Sequence, residues 1–399
     1  MQHGHQKKES KLAQCGTWQH NYTTFHHTQM SYKALGGKPP RMLIFKSPNS
    51  GVTDRLMGLI TGFYAAVLSQ RVFLVTDWWT YRDVQVDLSH ALAWAHINLT
   101  LPGDMEAHIR PPRSEYVHLN YINSEPLFSP KADAQQKIDI TTLFSTAAND
   151  STILYESNRG NTLALLQARG AVLGIHPPYG LYCAFHFLFS PKPEVVDIMR
   201  PLYAALSDEH VVKLGLQIRS GDHGYSFPTT TTIGSQPYFG NFFSCAQTVE
   251  TSLKQQLPPE QRPHKLFLIS DSKSLKIDAA LMYPGLLTDT ANTPMHVGIS
   301  NDVNNLAANG SYAMHVAIAD VLLLAQCDFF IVSHDSGMGK LAALIRCAAV
   351  LSTRPAPFFT PTSTHLTFCL KSHPTPPGLT TATHPLLCAA RMRTRAGST

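Results

Sequence analysis

Long runs of one kind are what this sequence lacks. No stretch of ~18 uninterrupted apolar residues occurs, so it offers no conventional membrane-crossing helix. No run of Lys or Arg is longer than two. The formal charge of +5 over 399 residues is spread too thinly for the basic footprint of a nucleic-acid surface. The seven cysteines (Cys15, Cys183, Cys245, Cys327, Cys347, Cys369 and Cys388) contain no Cys-x-x-Cys pair, which removes the zinc and dithiol motifs. Their odd number leaves at least one thiol free or paired between chains. Cys327 and Cys347 sit in apolar helical stretches and read as small buried core residues. What is present is a globular balance, with 44% hydrophobic and 15% charged residues, long enough for two or three domains.

Residues 1–38 are polar and histidine-rich and end in Gly-Gly-Lys-Pro-Pro; they read as a solvated, disordered tail with no signal peptide. Structure is expected to begin sharply at Arg41. "RMLIFK" (41–46) is a strand, 54–70 has the apolar spacing of a helix, and "RVFLVTD" (71–77) is again a strand. Nearly continuous apolar strands joined by a helix point to a parallel sheet covered on both faces. "TILYES" (152–157) and "AVLGI" (171–175) are read as further strands around a helix near 161–169, and the Pro-rich segments 102–130 and 176–193 as loops and short connectors. A second series starts near 210. Strands are expected at 211–219, 265–270 and 328–333, and helices at 241–256, 312–326 and 338–349. The fold class is therefore α/β, with two successive Rossmann-type halves.

In open α/β sheets ligands sit beyond the carboxyl ends of the strands. Three strands of the second half end there in polar groups: Arg219 followed by Ser220-Gly221-Asp222, then Ser270-Asp271-Ser272, then Ser333-His334-Asp335-Ser336-Gly337 leading into a helix. A guanidinium beside free helical N–H groups suits a diphosphate; a plain Arg219–Asp222 ion pair is the competing reading. Asp320 lies in "MHVAIADVLLLAQC", where its helical neighbours Val316, Ala317, Leu323 and Leu324 are all apolar. A carboxylate on such a face needs a partner. Either a buried arginine pairs with it, or it accepts from the two adjacent donors of a guanine edge. The chain has no Asp-x-Asp pair, so no motif for metal-bridged nucleotide-sugar binding is present. Leaving-group charge would fall to a cationic side chain, with Arg219 as the candidate and no metal.

These stretches carry a resemblance. "GLQIRSGD", "FLISDS" and "AIADVLLLAQCDFFIVSHDSGMGKLAAL" resemble the three successive donor-site motifs of the GDP-fucose-dependent fucosyltransferase superfamily, which includes the α1,6-, xyloglucan α1,2- and protein O-fucosyltransferases. "SGVTDRLMGLITGFYAAVLSQRVFLVTDW" is similar to the superfamily's opening motif. The resemblance implies a GT-B-like fold of two facing Rossmann-like domains, an acceptor-side domain at 39–205 and a donor-binding domain at 206–352, followed by an irregular tail at 353–399. It implies that Arg219 holds the diphosphate, Asp320 reads guanine, and Ser336 with Gly337 binds the β-phosphate. Gln217, Asp222 and Asp271 would lie near the donor, and the Gly51 to Arg55 turn would face it from the first domain. Departures exist too: Gln217 replaces the usual His, Asp335 sets a negative charge beside the phosphate site, and Asp54 replaces Asn.

The function expected is inverting, metal-independent transfer of fucose from GDP-fucose to a hydroxyl of a glycan or glycoprotein, with no cofactor. Asp54, Asp222 and His223 are the candidate bases, each also readable as structural. The alternatives are a silent relative that binds glycans or proteins, and a transferase for another nucleotide sugar. Tyr116, Tyr121, Tyr179 and Tyr182 could stack on acceptor sugars or simply pack. Four Asn-x-Ser/Thr sequons, at Asn21, Asn98, Asn149 and Asn309, fit a Golgi or ER lumen, with any anchor lying outside this chain.

Overall fold

The computed structural model describes residues 15–32, 40–48, 50–76, 80–81, 84–85, 88–103, 116–121, 144, 152–158, 160, 162–208, 210–219, 237–256, 264–290, 303–333, 336–346, 350–353 and 367–368, to which every structural statement refers. The chain divides into two compact units. One comprises residues 1–199 and 295–319, the other residues 200–294 and 320–399, so the later part of the chain returns once to the first unit.

The first unit carries helix α1 (Trp18–Met30), strand β1 (Met42–Lys46), α2 (Val52–Leu68), β2 (Val72–Thr76), β3 (Tyr116–Tyr121), β4 (Thr152–Ser157), α3 (Thr162–Arg169) and α4 (Gly180–Leu188). Its sheet has the order β2-β1-β4-β3 and is parallel throughout. Met42 to Phe45 and all of β2 are buried, as continuous apolar strands in a covered parallel sheet should be. Helix α2 packs so closely on the end of β4 that a Cβ at Gly58 would stand 2.1 Å from the carbonyl oxygen of Ser157, so only glycine fits there.

Helix α1 overturns the expectation of a disordered tail for the part of 1–38 that is described. Strand β2 is an edge strand, and an open edge needs covering. The Tyr22 hydroxyl accepts from the Phe73 N–H at 2.9 Å and donates to the Arg71 carbonyl at 3.1 Å. Nε2 of His26 lies 3.4 Å from the Phe73 carbonyl, and burial pulls this imidazole down to about 4, which suits a neutral ring donating through Nε2. Further along, Val75 exchanges backbone bonds with Leu99 and Leu101. Trp18 packs on Phe63, Tyr64 and Phe187, and a Cys15–Cys183 disulfide fastens the start of α1 to α4. Polar side chains thus bury here because they pair with the backbone of an exposed edge.

Three other expectations change. Residues Gly170–Leu173 form a 3-10 turn rather than a strand, with Val172 exposed and Gly174 left-handed at φ 65°. A five-residue apolar run cannot by itself separate strand from turn. The segment 102–130 contributes β3 to the sheet. The segment 176–193 contains the buried helix α4 and a short strand, Phe189–Pro191, paired antiparallel with Leu92–Trp94. Tyr182 is a core residue.

The second unit carries β5 (Val212–Ile218), α6 (Pro237–Gln256), β6 (His264–Ser270), α7 (Lys273–Met282), β7 (Leu287–Thr288), β8 (Phe329–Ser333), α9 (Gly337–Arg346), β9 (Val350–Thr353) and β10 (Thr367–Phe368). Two helices pass from the first unit into it: α5 (Pro193–Ser207) and α8 (Val303–Leu324). The sheet order is β7-β6-β5-β8-β9-β10, parallel except for β10. Leu214, Leu216, Ile218, Phe242, Phe243, Leu268 and Ile331 build the core between this sheet and its helices. The expected helix at 312–326 belongs to the longer α8, and Cys327 is fully buried as expected. Among the described residues no helix is long and apolar enough to cross a membrane.

Candidate functional site

Strands β5, β6 and β8 are neighbours and run parallel, so their carboxyl ends open onto one edge. Arg219 follows β5 directly and is half-buried. Its main-chain N–H donates to the Ser333 hydroxyl at 2.9 Å, and that hydroxyl lies 3.4 Å from the Gln217 carbonyl. The Ser333 carbonyl in turn accepts from the Ser336 N–H at 3.0 Å. One serine at the end of β8 therefore fixes both the residue carrying the guanidinium and the residue that opens α9. Ser336 is buried, and a Cβ at Gly339 would come within 2.6 Å of Val332, so glycine lets the first turn of α9 lie against the strand end. The opening N–H groups of a helix have no intrahelical acceptor and carry its positive dipole end.

Gln217 lies beneath this turn. It is buried, and its Oε1 has no hydrogen-bond partner. An orphaned amide oxygen costs about 1–3 kcal/mol in a protein interior. Asp271 follows β6 and is partly exposed. The neighbouring Ser272 caps α7 by accepting from the Leu275 N–H at 3.2 Å, while its own N–H donates to the Ser270 hydroxyl at 3.1 Å. The turn after β6 is thus a helix cap first, with Asp271 projecting from it.

Asp320 sits on α8 with only 7% of its surface exposed. Among the described residues no hydrogen bond or ion pair to its carboxylate is found, and burial pushes it up to about 7. Lys276 on α7 counters that rise and Asp289, just past β7, adds to it. The sequence left open a buried arginine as Asp320's partner; the positive charge that acts on it is a lysine. Lys276 is itself 1% exposed, and nothing in "SKSLKIDAAL" distinguishes it from a solvated helix lysine. Its burial is decided by packing alone.

Gly51 and Arg55 belong to the other unit, where Gly51 precedes α2. Arg55 is turned inward. Its Nε donates to the Ser50 carbonyl at 2.6 Å, an η-nitrogen lies 3.5 Å from the Ser47 hydroxyl, and burial pulls the guanidinium down to about 8, with Asp54 opposing. In these contacts Arg55 braces the loop that follows β1. Sequence reasoning also missed a cluster at the carboxyl edge of the first sheet. Buried Glu156 on β4 receives Lys46 Nζ and His118 Nε2, each at 2.9 Å. The available signal was a charged residue closing each of two otherwise apolar strands, "RMLIFK" and "TILYES". Asp222, His223, His334 and Asp335 lie outside the described residues, as do Cys347, Cys369 and Cys388. Among the described residues no group of three His, Cys, Asp or Glu side chains is placed to hold a metal ion.

No family model matches the sequence, and no curated protein matches it. Solved structures do. A variant of Arabidopsis thaliana FUT1 in complex with GDP is similar over 85% of this chain and 78% of its own, at 16% identity and a TM-score of 0.57. The fucosyltransferase NodZ from Bradyrhizobium is similar over 82% of this chain and 98% of its own, at 13% identity and a TM-score of 0.47. The expected α/β class with two parallel sheets is what the structure has, and the chain shares the fold of the GDP-bound plant protein FUT1.

Proposed function

We propose that this chain is an inverting glycosyltransferase that moves fucose from GDP-fucose to a hydroxyl of a glycan or glycoprotein. The reading rests on one observation above all: Ser333 fastens both Arg219 and the opening of α9 at the carboxyl edge of the second sheet. A residue carrying a guanidinium and a helix amino end, fastened to one strand end, are what a pyrophosphate calls for. The buried carboxylate of Asp320, with no hydrogen bond among the described residues, supplies what a guanine N1–H and N2–H pair would occupy. The likeness to a GDP-bound FUT1 agrees with that choice of nucleotide.

In the reaction the C1–O bond to the diphosphate lengthens early, and its electron pair moves onto the β-phosphate oxygen. Arg219, the Ser336 hydroxyl and the Gly337 N–H meet that charge as it grows, in the transition state more than in the ground state. The acceptor oxygen closes on C1 from the opposite face, inverting it, and its proton passes to a base or to water. Leaving-group stabilisation on this scheme needs no metal ion. The Cys15–Cys183 disulfide and the exposed sequon residues Asn21 and Asn98 support an oxidising, lumenal setting.

Calorimetric titration with GDP, inosine diphosphate and UDP tests the nucleotide assignment. GDP should bind tightest, the inosine analogue should lose one of two hydrogen bonds to Asp320, and UDP should bind weakest. UDP equal to GDP would redirect the reading to another nucleotide sugar. A second reading, a silent relative that binds glycans or proteins, is favoured by Gln217, whose orphaned oxygen stands where the resemblance expects a histidine. Absence of GDP binding by folded protein at millimolar concentration would select it.

A further inference from the structure

The outer edge of β2 is covered in two stretches. Tyr22 and His26 of α1 bond to Arg71 and Phe73. Beyond them the segment 98–101 runs parallel to the strand, with Thr100 opposite Val75. Leu99 and Leu101 are buried while Asn98 and Thr100 are exposed, the alternation of a half-buried strand. The Leu99 carbonyl accepts from the Val75 N–H at 2.7 Å, and the Leu101 N–H donates to the Val75 carbonyl at 3.1 Å. The Thr100 N–H therefore points the other way, out of the sheet. There the Oδ1 of Asn98 accepts it at 3.0 Å. The Thr100 hydroxyl accepts from Trp94 Nε1 at 3.1 Å. Among the described residues no strand pairs on the outer side of this segment, and the Asn98 Nδ2 makes no hydrogen bond.

We propose that Asn98 is an N-glycosylation site and that its glycan screens this outer edge of the first sheet. The proposal rests on the lumenal setting in the reading above. Asn98-Leu99-Thr100 has the acceptor pattern, and the donor is an oligosaccharide carried on a lipid diphosphate. The Asn98 Nδ2 bonds to C1 of the first sugar and the C1–O bond breaks. The lipid diphosphate leaves with the electron pair, and one Nδ2 proton passes to a base of the transferring enzyme. The glycosylated amide keeps its Oδ1, so the bond to the Thr100 N–H survives the modification. Both side-chain contacts of the sequon span six residues or fewer, so they form without distant parts of the chain. A bulky hydrophilic chain at this point stands in the way of any further strand pairing there. The sequon at Asn21 is placed differently. It lies on α1, where residues two apart do not face each other, and its Thr23 hydroxyl is bonded to the Gln19 carbonyl at 2.9 Å.

Mass spectrometry of peptides from the full chain, isolated from its own cells, tests the site. Samples are read before and after peptide N-glycosidase, which releases the glycan and deamidates the asparagine that carried it. The Asn98 peptide should carry a glycan in most molecules and deamidate only after the enzyme. In the secretory pathway of a eukaryotic host, Thr100→Ser should keep the modification and Thr100→Val should lose it. A bare Asn98 in protein whose Cys15–Cys183 disulfide is formed overturns the proposal and leaves the lumenal setting standing. A bare Asn98 together with free thiols at Cys15 and Cys183 overturns both. Light scattering at matched concentration tests the screening. Asn98→Gln should self-associate more than the glycosylated wild type, and equal dispersion of the two overturns the screening role. Should Asn98→Gln fail to fold, Thr100→Val is compared in the same way, since it keeps the Asn98 acceptor for the main-chain N–H while losing the glycan.

Discussion

At the amino end of the second sheet, Asp328 accepts from the Lys213 N–H at 3.0 Å and from Arg346 at 3.2 Å, and lies 3.8 Å from Lys213 Nζ. Lys213, itself buried, also donates from Nζ to the Asp208 carbonyl at 2.6 Å. At the other end of the same strands Gln217 has an orphaned oxygen, and Asp320 on α8 is buried with no hydrogen bond to its carboxylate among the described residues. Asp328 at the amino end spends its acceptors on the protein, whereas Asp320 spends none on a described residue. A fold that completes one rim and leaves acceptors unmet at the other keeps those groups for something outside the chain. That asymmetry matches the rule that parallel α/β sheets bind ligands past their carboxyl ends.

Substitutions at the two ends should therefore separate activity from stability. The largest effect is expected for Arg219→Ala, which should cut fucose transfer by about 10²–10³-fold, the usual consequence of removing one charge-stabilising donor, with the melting temperature little changed. Full transfer in that variant would end the mechanism. Asp320→Asn comes next. GDP affinity should fall by roughly 10–100-fold, since a hydrogen bond to a charged group is worth about 1.5–3 kcal/mol.

The same variant should change the pH dependence of stability. The folded-state value of Asp320 lies near 7, above that of an unfolded aspartate, so its contribution is fully present below the unfolded value and is lost as pH rises toward 7. Asp320→Asn should flatten that slope between about pH 4 and 7 in denaturant melts. A slope that survives would mean that another group produces it.

Asp328→Ala should give the opposite pattern, losing about 2–3 kcal/mol of stability because buried Lys213 loses its counter-charge and keeps only the Asp208 carbonyl, with GDP affinity unchanged. Loss of GDP binding in folded Asp328→Ala would break the contrast between the two rims. The smallest effect is expected for Gln217→Met. Replacing a side chain whose amide oxygen is unsatisfied with an apolar isostere should be neutral or stabilising by up to about 1 kcal/mol in thermal melts. A clear destabilisation would show that the amide has a structural partner after all.

Asp320 was legible in the sequence because its neighbours three and four residues away are all apolar, and an isolated carboxylate on such a face is costly wherever the helix lies. The strand ends at Arg219, Asp271 and Ser333 were legible because apolar runs stop there on polar groups. Helix α1 was not. Trp18, Tyr22 and His26 are four apart and share one face, but a Tyr and a His bury only if a strand edge awaits their hydrogen bonds, and no local pattern announces that edge. Arg55 shows the converse, since the motif that marked it says nothing of whether the guanidinium turns toward a ligand or back onto its own loop.

What the sequence determined by itself is the α/β class, the two parallel series and the residues at the strand ends, because apolar periodicity and the stops that interrupt it are local properties of the chain. What only the tertiary structure decided is which charges meet. Lys276 is buried where its charge counters the rise of Asp320, Glu156 receives both Lys46 and His118, and Cys15 bonds to Cys183 across 168 residues. The ionisation of a side chain depends on the dielectric and on charges brought in from distant positions, and those exist only once the elements have packed.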